Sequence, residues 1–431
     1  MNWAKTGPYY SHRRQRYCDA YKEYGFGRKA TAAENRTALI AALADAQTTK
    51  RQLYLGDQTV AISDQVTVPA VLEIFGAGDK TQIVINGANK NGFIFQTAAA
   101  GSSVRGVKFV CDTQGTDPYK ASLFVDVADG IILENLWFEG ISWAGILVRD
   151  SKNIRIANCK FSGPSPTNTS SNCGEIVAYR ISSSTIENNE CLAGGWQGIL
   201  IQKPDTDVAT GNNPNNIIRR NRVGPHTAYG ICCYDYMRSN TFNHIEKNQV
   251  WGITGAHPGG AGGAGIYVMG EGGTRVEGNT IWDCCKTTAN QTLTPAGIGI
   301  NINATDTGVK PTIVARNIVH SMAQYDCIRI VGATNLVVEG NGLELGHTAC
   351  AGINMMDCNN FSVVGNAIKV GIAGTVLEAG VKVAALIASV TTGSISNNAV
   401  SGALARGVSI YSSSPSLEDV SITGNAIRLT A

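Results

Sequence analysis

One internal repeat restricts the fold of this chain more than any other feature. A segment of the form apolar-x-apolar-x-x-Asn-x-apolar recurs, as in Ile154-Arg-Ile-Ala-Asn158-Cys-Lys-Phe161 and Val420-Ser-Ile-Thr-Gly-Asn425-Ala-Ile427. With the asparagine as marker, positions 135, 158, 189, 221, 248, 279, 317, 341, 366, 398 and 425 lie roughly 29 residues apart on average. Each interval also holds a second short strand, usually Gly-apolar-x-apolar: Gly145-Ile-Leu-Val148, Gly198-Ile-Leu-Ile201, Gly230-Ile-Cys-Cys233, Gly265-Ile-Tyr-Val268, Gly297-Ile-Gly-Ile300, Gly352-Ile-Asn-Met355 and Gly407-Val-Ser-Ile410. Helical repeats would need 3.6-periodic stretches of ten or more residues, and the leucine framework of a leucine-rich repeat is absent. Short period-2 strands on this spacing fit an all-β solenoid, the right-handed parallel β-helix, whose handedness follows from strand chirality. The marker asparagine is expected at a bend, in left-handed or bridge geometry, stacked on its equivalents as an amide ladder. Asn279 should then lie beside Asn248 or Asn317.

Composition removes several classes of function. With 35 Lys+Arg against 33 Asp+Glu the net charge is +2, so the basic stripe of a nucleic-acid or membrane-surface binder is not expected. The most apolar stretch, 371–390, is interrupted by Glu378 and Lys382, which excludes a spanning helix there. The N-terminal basic residues have no apolar segment behind them, so no secretory signal is visible. The chain is read as virion-borne or extracellular with its signal removed, or else as intracellular. Its 12 cysteines match no C-x-x-C pattern and are expected as buried free thiols. No His/Asp/Cys cluster has metal-ligand spacing, and no cofactor is expected.

The beginning of the chain differs from the repeat. Ala33–Ala46 reads as an amphipathic helix, placed to cover the first coil, since a solenoid must cap its terminal cross-section. Lys22-Glu-Tyr-Gly25, then Asn35-Arg-Thr-Ala-Leu-Ile-Ala-Ala-Leu43, Leu53-Tyr-Leu55 and Gly76-Ala-Gly78 together resemble the entry segment of the pectin-lyase-like β-helix superfamily, in its pectate-lyase-3 and phage-tailspike branches. The match spans about residues 20–80, with Glu34-Asn35-Arg36 in place of the family's acidic pair. The resemblance implies an N-terminal extension over 1–20, a cap with the first coils over 21–80, and a β-helix over 81–431. It also implies binding or cleavage of complex polysaccharides, and assembly as a homotrimer like the depolymerising tailspikes. The Asn-Thr-Asp, Gly-His-Gly and Arg-Ile-Lys motifs of polygalacturonases are missing, as is the Asp-Pro-His-Asp of mannuronan epimerases.

Function on a uniform solenoid should appear as departures from uniformity. Long insertions at 163–173, 203–215, 252–263 and 285–295 place walls around the glycine-marked strands of the middle coils, where loops on a rigid scaffold carry chemistry. Alternation turns Tyr179, Gln202, Tyr234, Tyr267 and Asn301 outward on that floor. Arg180, Lys203, Asp205, Asp235 and Glu271 stand at its strand ends. Aromatic, amide and carboxylate groups in this mixture suit sugars. Asp235 and Glu271 occupy near-equivalent places on adjacent coils, a spacing compatible with the carboxyl pair of glycoside hydrolysis, and Asp205 offers a longer pairing. A lyase reading instead uses Arg180, Lys203 or Arg329 to neutralise a uronate, with Tyr234 or Lys203 as base. His257, in a glycine-rich loop, is a candidate contact from a lid. The expected function is a polysaccharide-degrading enzyme, a glycosidase before a lyase, with a non-catalytic glycan-binding protein or a sugar epimerase or transferase as alternatives. Leu147, Val177, Leu200 and Val331, read as outward apolar residues, predict a side-by-side homo-oligomer.

Overall fold

The computed structural model describes residues 17–87, 89–111, 113, 119–141, 143–163, 173–203, 214–235, 242–255, 263–270, 273–284, 298–304, 311–322, 326–346, 351–371, 376–386, 390, 392–413, 416 and 418–430. Of Lys203, Asp235, Ser321, Met322, Val376 and Leu377 it describes the backbone alone. The chain forms two compact units, Met1–Pro166 and Thr167–Ala431. Both are stacks of parallel coils, and each coil contributes one strand to each of three sheets.

In the first unit α1 (Ala20–Tyr24) and α2 (Ala32–Thr49) precede the coils. A capping box between Thr31 and Glu34 starts α2, satisfying two backbone donors that the first turn leaves open. Its buried face, Leu39, Ala42, Leu43 and Ala46, covers the first strands as the sequence predicted, and Arg36 Nε donates to the carbonyl of Gln65 at 3.0 Å. Asn35, in the place of the family's acidic pair, accepts the backbone N–H of Gly27 at 2.8 Å while 1% exposed. Inside the coils Phe109, Phe138 and Phe161 stack one above another, with ring centroids 5.5 and 4.6 Å apart.

Among the described residues the second unit holds nine coils. Its glycine-marked sheet runs from Gly174–Ser182 to Leu404–Ser412, its middle sheet from Thr185–Glu187 to Val420–Thr423, and its third sheet from Glu190–Cys191 to Ala426–Leu429. Where the middle sheet turns into the third, Asn189, Asn221, Asn248, Asn279, Asn317, Asn341, Asn366, Asn398 and Asn425 form one continuous ladder. Asn279 shows the unit of it. Its Nδ2 donates to Asn317 Oδ1 at 3.0 Å and to the carbonyl of Ile245 at 2.8 Å. Its Oδ1 accepts the backbone N–H of Asn248 at 2.9 Å and Asn248 Nδ2 at 3.0 Å. Both amide hydrogens and both lone pairs are used, which is what allows an amide 0% exposed to sit in a core.

The structure corrects three readings of the repeat. Asn135 and Asn158 are not rungs. They are the left-handed residues of their bends, at φ +52° and +54°, and the core place after them is filled by Leu136 and Cys159. In the second unit that left-handed role falls to the residue before each rung, such as Arg220, Lys247 or Gly278, so the ladder asparagine itself is not the left-handed one. A bend residue and a rung are neighbours in the chain, and an asparagine suits either. Second, the glycine mark of the fifth coil is Gly299 and not Gly297, because Ala264 pairs with Ile298 and Ile266 with Ile300. The mark has a steric cause: a Cβ on Gly198, Gly230, Gly265, Gly352, Gly380 or Gly407 would come within 2.2–2.7 Å of Val223, Val250, Ile281, Ile368, Val400 or Ile427. Third, Leu147, Val177 and Leu200 are at most 1% exposed, and Val331 is half-buried, so the apolar surface that predicted a trimer is mostly not surface.

Candidate functional site

On the glycine-marked sheet of the second unit, register aligns the outward residues into two rows. In one, Leu200 and Cys232 are followed by Tyr267, Asn301, Arg329, Asn354 and Lys382. In the other, Tyr179, Gln202 and Tyr234 are followed by Met269 and Asn303. The inward partners on the same strands are Ile231, Ile266, Ile300, Ile328, Ile353 and Val381, all 0% exposed. Alternation against a rigid aliphatic core therefore fixes where the outward side chains point. The surface changes character along the rows, from buried apolar groups at Leu200 and Cys232 to polar and charged ones from Asn301 onward.

The aromatic part lies at Tyr234 and Tyr267, whose rings are 5.9 Å apart at 44°. Tyr267 also stacks on Tyr229 at 4.8 Å and donates its hydroxyl to Met269 Sδ at 3.2 Å. Gln202 is 5% exposed, and its Oε1 has no partner among the described residues. The polar part centres on Asp326, 6% exposed. Its Oδ1 accepts the backbone N–H of Ala351 at 2.9 Å and its Oδ2 accepts Asn354 Nδ2 at 2.8 Å. Burial pushes its carboxyl above the ordinary carboxylate range, and the Asn354 bond pulls the other way. Lys382 pairs with Glu378 at 3.0 Å and lies 5.7 Å from the centroid of the Tyr411 ring. Arg329 and Asn354 pair across adjacent strands. A buried donor, Arg329 Nε, and a buried acceptor, Asn354 Oδ1, stand there without partners among the described residues.

The residues expected from the sequence divide accordingly. Tyr234, Tyr267, Asn301, Gln202 and Tyr179 are brought onto this face, with Tyr179 almost fully buried at 3%. Arg180 follows Tyr179 in left-handed geometry at φ +51°. The strand ends place Lys203 opposite Asp235, but only their backbones are described. Asp205, Glu271 and His257 lie outside the described residues. Asp326, Asn354, Lys382 and Glu378 were missed. Their signal was legible for two of them: Gly352-Ile-Asn354-Met and Gly380-Val-Lys382-Val each put a polar residue at the outward place of a glycine-marked strand.

Two other places hold functional-looking groups. Cys18, Glu23 and Asp45 are close enough to share a metal ion, but Arg51 already bridges Glu23, at 3.3 Å, and Asp45, so a structural ion-pair cluster accounts for them. On the third sheet a groove of about 570 Å³ is floored by Ile318, Gly342, Ala367 and Ala399. It begins where the Trp251, Trp282 and His320 rings, stacked 5.2 and 6.3 Å apart, end. Those rings spend their faces on one another. The ten cysteines described are all unbridged, and all but Cys111 are buried.

The family model of the right-handed β-helix region matches residues 110–292, less than half of the chain. No curated protein matches its sequence. Among solved structures, the A-module of the mannuronan C-5 epimerase AlgE6 of Azotobacter vinelandii superposes with a TM-score of 0.60 at 14% identity, covering 96% of this chain and 99% of that one. The Dettilon tailspike protein gives 0.53 at 15% identity, over 94% of this chain and 71% of that one. The chain folds as a right-handed parallel β-helix. At such identities the likeness shows the fold alone, and the Asp-Pro-His-Asp motif of the epimerases is absent from this β-helix. No described helix is long and apolar enough to cross a membrane.

Proposed function

We propose that the protein binds a polysaccharide along the outward face of the glycine-marked sheet, between Tyr234 and Lys382, and cleaves it there. The observation that carries the reading is the open pair at Arg329 and Asn354. A buried N–H donor beside a buried carbonyl acceptor is complementary to a hydroxyl, which accepts with its lone pairs and donates its hydrogen. Tyr267, two strands earlier in the same row, offers a ring for a sugar face. Solved structures on this fold include an epimerase module and a tailspike, which supports a glycan ligand and a site outside the cell or on a virion.

Cleavage is assigned, from the sequence pattern, to Asp235 and Glu271 as the acid/base or acid/nucleophile pair, with Asp205 as the further carboxylate. Elimination from a uronate is the second reading, favoured by Arg329, whose buried Nε has no partner among the described residues. A screen of capsular and plant polysaccharides, reading reducing ends and the absorbance of unsaturated uronates, separates hydrolysis, elimination and binding alone. Asp235→Asn and Glu271→Gln should each lower turnover by about 10²–10⁴ with the melting temperature unchanged. Arg329→Gln and Asn354→Ala should instead weaken binding. Wild-type turnover in either carboxylate variant would end the assignment, and undiminished glycan binding in both of the others would end the surface. The homotrimer remains a proposal, which a stable monomer in light scattering at micromolar concentration would end.

A further inference from the structure

Where seven coils of the second unit carry glycine, one carries a carboxylate. Gly174 pairs with Gln197 and Ile176 with Ile199, which sets Glu175 opposite Gly198. In six other coils a Cβ at this place is blocked by a valine or isoleucine of the third sheet. Here the third-sheet residue is Cys191, the register partner of Val223, and a thiol is smaller than a branched side chain. The Glu175 side chain enters that space at 0% exposure, facing His226, also at 0%. His226 Nε2 lies 3.4 Å from Glu175 Oε2 and 3.2 Å from the carbonyl of Cys191. Glu175 Oε1 accepts the backbone N–H of Ala193 at 2.9 Å. Glu175 Oε2 and His226 Nδ1 make no hydrogen bond to any described residue.

Burial pushes the Glu175 carboxyl well above its usual range and the His226 imidazole down to about 4. The other titratable groups at this corner are the thiols of Cys191 and of Cys173. Cys173 is pushed up to about 11 by burial and carries no charge at neutral pH. No lysine, arginine or second acid contributes to either shift.

We propose that Glu175 and His226 hold one proton between them, and that this shared proton sets the pH window in which their coil is stable. With one proton the buried pair is net neutral, whether as an ion pair or as two uncharged groups, and it titrates as a unit. Without it a carboxylate is buried alone, and with a second proton an imidazolium is, each at a large desolvation cost. The unfolded chain behaves differently, since its glutamate and histidine titrate near their ordinary values of 4.5 and 6.5. It holds no proton on these two groups above 6.5, one between the two values and two below 4.5. The signs follow from the shifts. The contribution of Glu175, raised on folding, is complete below 4.5 and is lost as pH rises towards its folded value. The contribution of His226, lowered on folding, is complete above 6.5 and is lost as pH falls through about 4. The result is a plateau between 4.5 and 6.5, with the folding constant falling up to tenfold per pH unit on either side.

The readout is folding, so the inference stands apart from the glycan proposal. Urea unfolding of the full chain from pH 4 to 9 is compared with that of Glu175→Gln, which keeps the shape and removes the charge. The ratio of the variant's folding constant to the wild type's should climb towards tenfold per pH unit above 6.5. A ratio that stays flat from 6.5 to 8.5 overturns the proposal. If Glu175→Gln does not fold, the double variant Glu175→Gly with Cys191→Val installs the packing of the neighbouring coils. Its stability should lose the same alkaline decline, and retention of the wild-type slope there overturns the proposal equally.

Discussion

The corner between middle and third sheet is built in two ways in this molecule. In the first unit it is apolar: Val107, Leu136 and Cys159 fill it, at 0–1% exposure, beneath the stacked phenylalanines. In the second unit asparagines fill it, and the interior beside them is aliphatic, with Val223, Val250 and Ile281 in the places of Phe109, Phe138 and Phe161. Bulk suits the first solution, since large rings fill a coil without polar atoms to satisfy. The second works only as a series. An amide in the core is tolerated because the coil above and the coil below present identical amides at about the strand spacing of 4.8 Å. One corner is independent of its neighbours in kind, and the other is bound to them.

Substitutions should break the two corners unequally. Phe138→Ala opens a cavity in the ring stack and should cost the first unit about 3–5 kcal/mol in denaturant unfolding. Asn279→Val removes the acceptor of the Asn248 N–H and the donor to the Ile245 carbonyl, and should cost about 1–3 kcal/mol through the groups left unsatisfied. A neutral melting temperature there would disprove the ladder as a stabilising device. Leu136→Asn places a lone amide between Val107 and Cys159 and should cost about 1–3 kcal/mol. An unaffected stability would show that an amide needs no matching neighbours. Smallest is Asn135→Ala, expected to cost about 1–2 kcal/mol for an L-residue held at positive φ, with Asn135→Gly restoring wild-type stability. If Asn135→Ala instead matched Asn279→Val, the distinction between bend and rung would fall.

Asn135 and Asn279 also show how far the sequence could be read. Both sit in the same local pattern, and the period they mark, with the glycine strands between, was enough to identify the parallel solenoid and the helix over the first coil. Which asparagine is a rung depends on the core place one residue on, which only stacking with the next coil defines. The candidate site divides likewise. Tyr234, Tyr267 and Asn301 were legible because alternation on a strand is local. Asp326 was not, since it precedes its strand and becomes a buried acceptor only where Ala351 and Asn354 of the next coil reach it. Glu175 was not singled out from the sequence, and nothing nearby in the chain announces His226, 51 positions away. What the amino-acid order determined by itself is the solenoid, because the strand periodicity recurs along the chain and the steric demand for glycine recurs in most coils of the second unit. What tertiary structure alone decided is which polar groups meet, because those contacts join residues a whole coil apart, where only the register of one coil on the next sets the distance.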